Sequence, residues 1–185
     1  MPPLAAHQDI DIALQRDQKS DSWEGLQGTD SFFPFKNRDQ KWLAFYGSAQ
    51  TEKVPTTFWS VGLASASSLA DPWIRLSQIN PVLYPRAENP HVVRLKKNLY
   101  AAVYDAIFET ALDALKIPYT FSTDGLRWTQ TKYIQLSPGE NNWIKQVRTP
   151  LSLIPLGDDS FLVYFTAAQI NGYSSVGRIT LKITH

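Results

Sequence analysis

Two carboxylates and a guanidinium recur at near-equal intervals in this 185-residue chain. They are Asp30 in Gly28-Thr29-Asp30-Ser31, Glu88 in Ala87-Glu88-Asn89-Pro90, and Arg148 in Val147-Arg148-Thr149-Pro150. The spacings are 58 and 60 residues. A pair of carboxylates suits hydrolysis of a glycosidic bond, because the leaving oxygen needs a proton while the anomeric carbon needs a base or nucleophile. The proton donor needs a raised pKa, and a second carboxylate nearby helps to supply one. Arg148 suits sugar hydroxyls, or a structural pairing with a neighbouring carboxylate. Each of the three also fits an ordinary turn or strand start, so the chemistry depends on whether the fold makes them converge.

The elements around them repeat. Lys41-Trp-Leu-Ala-Phe-Tyr-Gly-Ser-Ala49 aligns with Asn98-Leu-Tyr-Ala-Ala-Val-Tyr-Asp-Ala106 and with Ser160-Phe-Leu-Val-Tyr-Phe-Thr-Ala167. Each follows a polar turn, at Asn37–Gln40, Lys96–Asn98 and Gly157–Ser160. Before each turn lies a β-prone run, at Thr29–Phe35, Glu88–Leu95 and Gln146–Ile154. After each aligned segment comes another, at Phe58–Ala66, Pro118–Thr123 and Ser175–Ile183. A turn and a tryptophan then open a fourth element in Ser67-Ser-Leu-Ala-Asp-Pro-Trp73 and in Ser122-Thr-Asp-Gly-Leu-Arg-Trp128. The stretch Ile12–Trp23 reads as that closing element once more, with nothing before it.

Tandem four-stranded antiparallel units are the signature of propeller blades, each too small to cover both of its own faces. The expected fold is all-β, a β-propeller of four-stranded blades in one domain. It would comprise the end of one blade at 1–26 and blades at about 27–85, 86–144 and 145–185. A β-sandwich is the rival, though it does not explain recurrence of whole four-element units. Apolar residues at Ile107, Phe108, Ala111, Leu112 and Leu115 suggest a short helix within Ala106–Leu115. In this fold the starts of Thr29–Phe35, Glu88–Leu95 and Gln146–Ile154 lie near one axis, which brings Asp30, Glu88 and Arg148 together.

Glu-Asn-Pro at the start of an inner strand, an Asp one blade earlier, and Ser122-Thr-Asp-Gly-Leu-Arg-Trp128 resemble the five-bladed propeller glycosidases of glycoside hydrolase families 43, 32 and 117. The resemblance implies three acids on consecutive blades. Asp30 matches the residue that stabilises the transition state or sets pKa, and Glu88 matches the general acid. The nucleophile or base would fall on the inner strand of the blade that ends at Trp23, a strand absent from this sequence. A five-bladed ring at about 60 residues per blade needs roughly 300 residues, so the chain is expected to be an arc or a fragment. Such an arc would associate through its open edges and be a poor enzyme alone.

Composition narrows the alternatives. A net charge of +1 gives no electrostatic reason to expect nucleic acid or an anionic membrane as partner. No apolar run approaches the ~20 residues of a membrane-spanning helix, and Met1–Asp11 lacks the features of a secretory signal. There are no cysteines, and His7, His91 and His185 have no metal-ligand spacing, so neither metal nor cofactor is expected. The compartment stays open. Aromatics are high at 12%, which suits strands and also sugar faces, with Trp59 and Tyr46 as candidate platforms. Trp42, Trp73 and Trp128 follow the repeat, so packing explains them. His91 reads as a strand histidine; Asp17, Asp71 and Asp124 read as turn residues. The function expected is a glycosidase acting on a carbohydrate substrate; the alternative is a non-catalytic carbohydrate-binding or scaffolding propeller, or an inactive fragment.

Overall fold

Three antiparallel sheets follow one another in chain order in the computed structural model, which describes residues 11–53, 58–83, 85–106, 114–137, 143–157 and 159–183. The first sheet contains β1 (Asp30–Lys36), β2 (Trp42–Ala49), β3 (Trp59–Ala66) and the two-residue β4 (Ile74–Arg75). The second contains β5 (Ala87–Lys96), β6 (Leu99–Ala106), β7 (Lys116–Ser122) and β8 (Lys132–Gln135). The third contains β9 (Ile144–Gly157), β10 (Ser160–Gln169) and β11 (Ser174–Lys182). Strands within each sheet pair in sequence order, as meanders. The described residues contain no helix; most of the short helix expected at Ala106–Leu115 lies outside them.

The turns are built by the residues that announced them. Asn37 Oδ1 accepts from the backbone of Asp39 (3.0 Å) and Lys41 (2.9 Å), which closes the β1–β2 hairpin, with Gln40 in the left-handed region. Asp124 Oδ1 accepts from the backbone of Leu126 (2.8 Å) and Arg127 (2.9 Å) in the turn after β7. Gly125 has φ +80, and a Cβ there would approach the Phe35 ring to 3.2 Å, so this turn needs glycine.

Strand periodicity decides the stacking. Leu43 and Phe45 of β2 face the second sheet, where they join Val92, Tyr100, Ala102 and Tyr104. Ala101 and Val103, the alternate residues of β6, face the third sheet and meet Val163, Phe165 and Ala167 of β10. The second sheet is thus buried on both faces, a three-layer arrangement that a two-sheet sandwich does not provide. Trp128 packs into the first of these interfaces, with its ring 5.1 Å from Phe45. Trp73 is buried with Ala44, Tyr46 and Ala64 on the opposite face of the first sheet, where Trp42 packs alongside.

Residues 12–23, expected to close a preceding blade, form turns and coil rather than a strand. Their side chains cover the outer face of the first sheet: Leu14 and Trp23 pack against Tyr46, Trp73 and their neighbours. Glu24 is fully buried and holds this segment down. Arg75 donates to it twice, from Nε at 2.7 Å and Nη2 at 2.9 Å, and the Tyr46 hydroxyl donates at 2.9 Å. A carboxylate can be buried this deeply because two donors on the strands meet it.

The sheet interfaces should carry the stability. Phe45, fully buried between Phe35 and Trp128, should cost about 3–5 kcal/mol when replaced by Ala in urea unfolding. Ile170→Ala, at a side chain 63% exposed, should stay within about 0.5 kcal/mol of the native protein.

Candidate functional site

The starts of β1, β5 and β9 lie side by side, since β5 packs against both β1 and β9. Asp30 is the first residue of β1, Glu88 the second of β5, and Arg148 lies near the start of β9. Each strand breaks register just there. Pairing shifts between Asp30 and Phe33 in β1 and between Glu88 and His91 in β5. In β9 the irregularity spans Val147 to Pro150. Ser31 (φ 50) and Asn89 (φ 49), which follow the two acids, are left-handed although neither is glycine. Bulges and strained residues of this kind re-aim side chains and concentrate at functional sites.

The residue after each site residue joins one sheet to the next. Ser31 Oγ donates to Asn89 Oδ1 at 2.8 Å, from the first sheet to the second. Thr149 Oγ1 donates to Asp105 Oδ2 at 2.9 Å, from the third to the second. Burial holds the His91 imidazole below its ordinary pKa, against the opposing effect of the Pro150 backbone. The ring of Phe33 stands edge-on to His91 at 5.2 Å. A small hollow of ≈140 Å³ opens between the first two bulges, lined by Ser31, Phe33, Asn89 and His91 among others.

Asp30 sits over Gly47, its register partner on β2. A Cβ at Gly47 would come within 2.3 Å of Asp30 Oδ1, so the glycine makes room for the carboxylate. Gln27 Nε2 donates to Oδ2 at 2.8 Å, while the buried Oδ1 has no hydrogen-bond partner among the described residues. Glu88 is half-buried, with its pKa raised to about 7 by burial first and then by the charges of Asp105 and Asp30; Arg148 opposes the shift. Asp105, the register partner of Glu88 on β6, is raised to about 6 by burial, against the Thr149 hydrogen bond and the charge of Arg148. Near neutral pH this leaves a proton on a large fraction of Glu88.

Asp30, Glu88 and Arg148 therefore come together. Asp105 joins them and was missed. The available signal was its place in the aligned segments: a charged residue stands next to last in Asn98–Ala106, where Lys41–Ala49 has Ser48. Trp59 opens β3 opposite Ala49, at the same end of the first sheet as Asp30, and is partly exposed. Its carbonyl accepts from the Arg86 backbone at 2.6 Å, just ahead of Glu88. Tyr46 is not a sugar platform. It is fully buried on the face that the N-terminal segment covers, and its hydroxyl is committed to Glu24. A larger hollow, ≈710 Å³, lies between residues 11–19 and 72–77, lined by residues such as Asp17, Trp73 and Arg75. It contains none of Asp30, Glu88, Asp105 and Arg148.

No family model and no curated protein matches the chain. Solved structures do match its fold. A BT0996 RGII complex aligns with a TM-score of 0.63 at 17% identity, over 90% of this chain and 49% of its own. A structure named glycoside hydrolase aligns with a TM-score of 0.64 at 16% identity, over 91% of this chain and 49% of its own. The catalytic domain of the Coprinopsis cinerea GH62 alpha-L-arabinofuranosidase gives a TM-score of 0.57 at 15% identity, over 91% and 50%. The chain spans about half the length of these neighbours.

The raised acids make stability depend on pH with a definite sign. A carboxyl group whose folded pKa lies above its unfolded value stabilises the fold when protonated, and that stability is lost as pH rises through the folded value. For Glu88 the window runs from the ordinary 4.5 to about 7. Glu88→Gln should therefore match the native protein in urea unfolding at pH 4 and exceed it at pH 8. Because Glu88 is only half-buried, screening holds the gain to the order of 1 kcal/mol.

Proposed function

We propose that this chain is a carbohydrate-active protein of the glycosidase kind, built as an arc of β-propeller with its site at the inner-strand starts. The observation that carries the reading is Glu88: a half-buried carboxyl group, raised to about 7 and flanked by Asp30 and Asp105. A general acid at neutral pH needs these properties. Glu88 gives its proton to the glycosidic oxygen as the bond from that oxygen to the anomeric carbon breaks. The negative charge of Asp30 favours the positive charge that develops on the sugar ring. Water supplies the hydroxyl that replaces the leaving group, and its proton passes to a carboxylate. Arg148 offers donors to sugar oxygens, and Trp59 an aromatic face.

Fold similarity to structures named glycoside hydrolase and alpha-L-arabinofuranosidase supports the reading. A second reading, carbohydrate binding without turnover, is favoured by Arg148, a cation where a third inner strand could have carried another acid.

The readings separate on a panel of glycosides. Aryl α-L-arabinofuranosides belong in it because one structural neighbour is named for that activity. In a hydrolase, Glu88→Gln should reduce turnover of alkyl glycosides by about 10²–10⁴-fold and of activated aryl glycosides far less, since a good leaving group needs little protonation. Equal losses on both classes would reject Glu88 as the acid. Saturable oligosaccharide binding in calorimetry, with no hydrolysis across the panel, would establish the binding reading instead.

A further inference from the structure

We propose that Asp105 is the positioning residue of this site: it ties the second sheet to the start of the third inner strand through Thr149, and it sets the electrostatic surroundings of Glu88. The inference rests on the assignment of Glu88 as the proton-bearing group.

Three observations carry it. Asp105 and Glu88 are register partners on β6 and β5, so both side chains lie on one face of the sheet. Cross-strand partners have Cβ atoms about 4.5–5.5 Å apart, and like charges placed there are destabilising. The sequence retains this unfavourable pair at the mouth of the sheet. Alternation then puts Asp105 on the face of β6 that carries Ala101 and Val103, which pack on the third sheet. There its Oδ2 accepts from Thr149 Oγ1 at 2.9 Å. Finally, Asn89 follows Glu88, the register partner of Asp105, and its Oδ1 accepts from Ser31 at 2.8 Å. Ser31–Asn89 and Thr149–Asp105 thus make a belt across all three sheets, joined by the β5–β6 pairing.

Ser31, Asn89 and Thr149 are the residues that follow Asp30, Glu88 and Arg148. The belt therefore fixes the backbone immediately beside each site residue. Asp105 is its acidic member and the only one able to act on the proton of Glu88 through charge. Asp105 on β6, Asp30 on β1 and Arg148 on β9 act on Glu88 by charge, and His91 lies on β5 itself. Among the charges that raise Glu88, Asp105 acts most strongly. Two such acids titrate as a coupled pair, with midpoints that belong to both.

The test follows the carboxyl carbons of Glu88 and Asp105 by ¹³C NMR from pH 3 to 9, and needs no substrate. In the native protein the two should titrate in separate, mutually perturbed steps. Asp105→Asn keeps an oxygen for Thr149 but removes the charge. It should lower the Glu88 midpoint by roughly one unit, a tenfold change in proton affinity. Thr149→Val removes the donor at similar volume and should move the Asp105 midpoint upward, because the hydrogen bond favours the anion. An unmoved Glu88 midpoint in folded Asp105→Asn would overturn the proposal, as would an unmoved Asp105 midpoint in Thr149→Val. If Asp105→Asn does not fold, Thr149→Val decides. Coupled midpoints without turnover of any glycoside would sink the hydrolase reading alone; turnover with independent midpoints would sink this inference alone.

Discussion

Successive side chains of a β-strand point to opposite faces, so an apolar strand in mid-sheet must find cover on two sides. The architecture of this chain follows from that constraint. β6 is the clearest case: Tyr100, Ala102 and Tyr104 need the first sheet, while Ala101 and Val103 need the third. A single four-stranded meander cannot provide both covers, and stacking in chain order does. The first sheet solves the same problem differently, because residues 14–24 cover the face that carries Ala44 and Tyr46. The third sheet turns Phe161, Val163 and Phe165 inward. Its other face, with Ile154 42% and Val176 62% exposed, meets no further sheet among the described residues.

Stacking also makes the site. Once the sheets lie face to face, their first strands run side by side and their starts become neighbours. A regular strand would then send every second side chain into an interface. The bulges at Asp30–Phe33 and Glu88–His91 interrupt this alternation where the acids stand. Ser31 and Asn89 accept left-handed backbone there. Such strain lasts only where neighbours enforce it, and the hydrogen bond between these two residues is one such restraint.

The sheets were legible in the sequence because their signals are local and repeated. Expected strands at Thr29–Phe35 and Glu88–Leu95 fall within a residue or two of β1 and β5, since apolar alternation and Asn/Asp turns bound them closely. Asp30, Glu88 and Arg148 each lie near the start of the first strand of a sheet, and those starts become neighbours once the sheets stack. Three things were not legible. Ile12–Trp23 carries the spacing of a closing strand, yet its partner is decided by what lies beside it in space, and here Trp23 packs against Tyr46 on a sheet face. Tyr46 is one of several aromatics on the strands, and sequence does not say which aromatic is covered. Asp105 was read only as part of a strand, because its role depends on the cross-strand register with Glu88.

Two glutamates in the chain show what turns a carboxylate from structural to reactive. Glu24 is fully buried, but Arg75 meets both of its oxygens at 2.7 and 2.9 Å and Tyr46 adds a third donor. Its charge is matched, and it serves as an anchor for the segment across the first sheet. Glu88 is less buried and has no ion pair at salt-bridge range among the described residues. Its strongest charged neighbours are acids, and Arg148 offsets them only in part. Burial alone does not distinguish the two groups; the sign of the surrounding charge does. A carboxylate held by arginine serves as an anchor, whereas one set among carboxylates keeps its proton toward neutral pH and can give it up when a neighbouring oxygen develops negative charge.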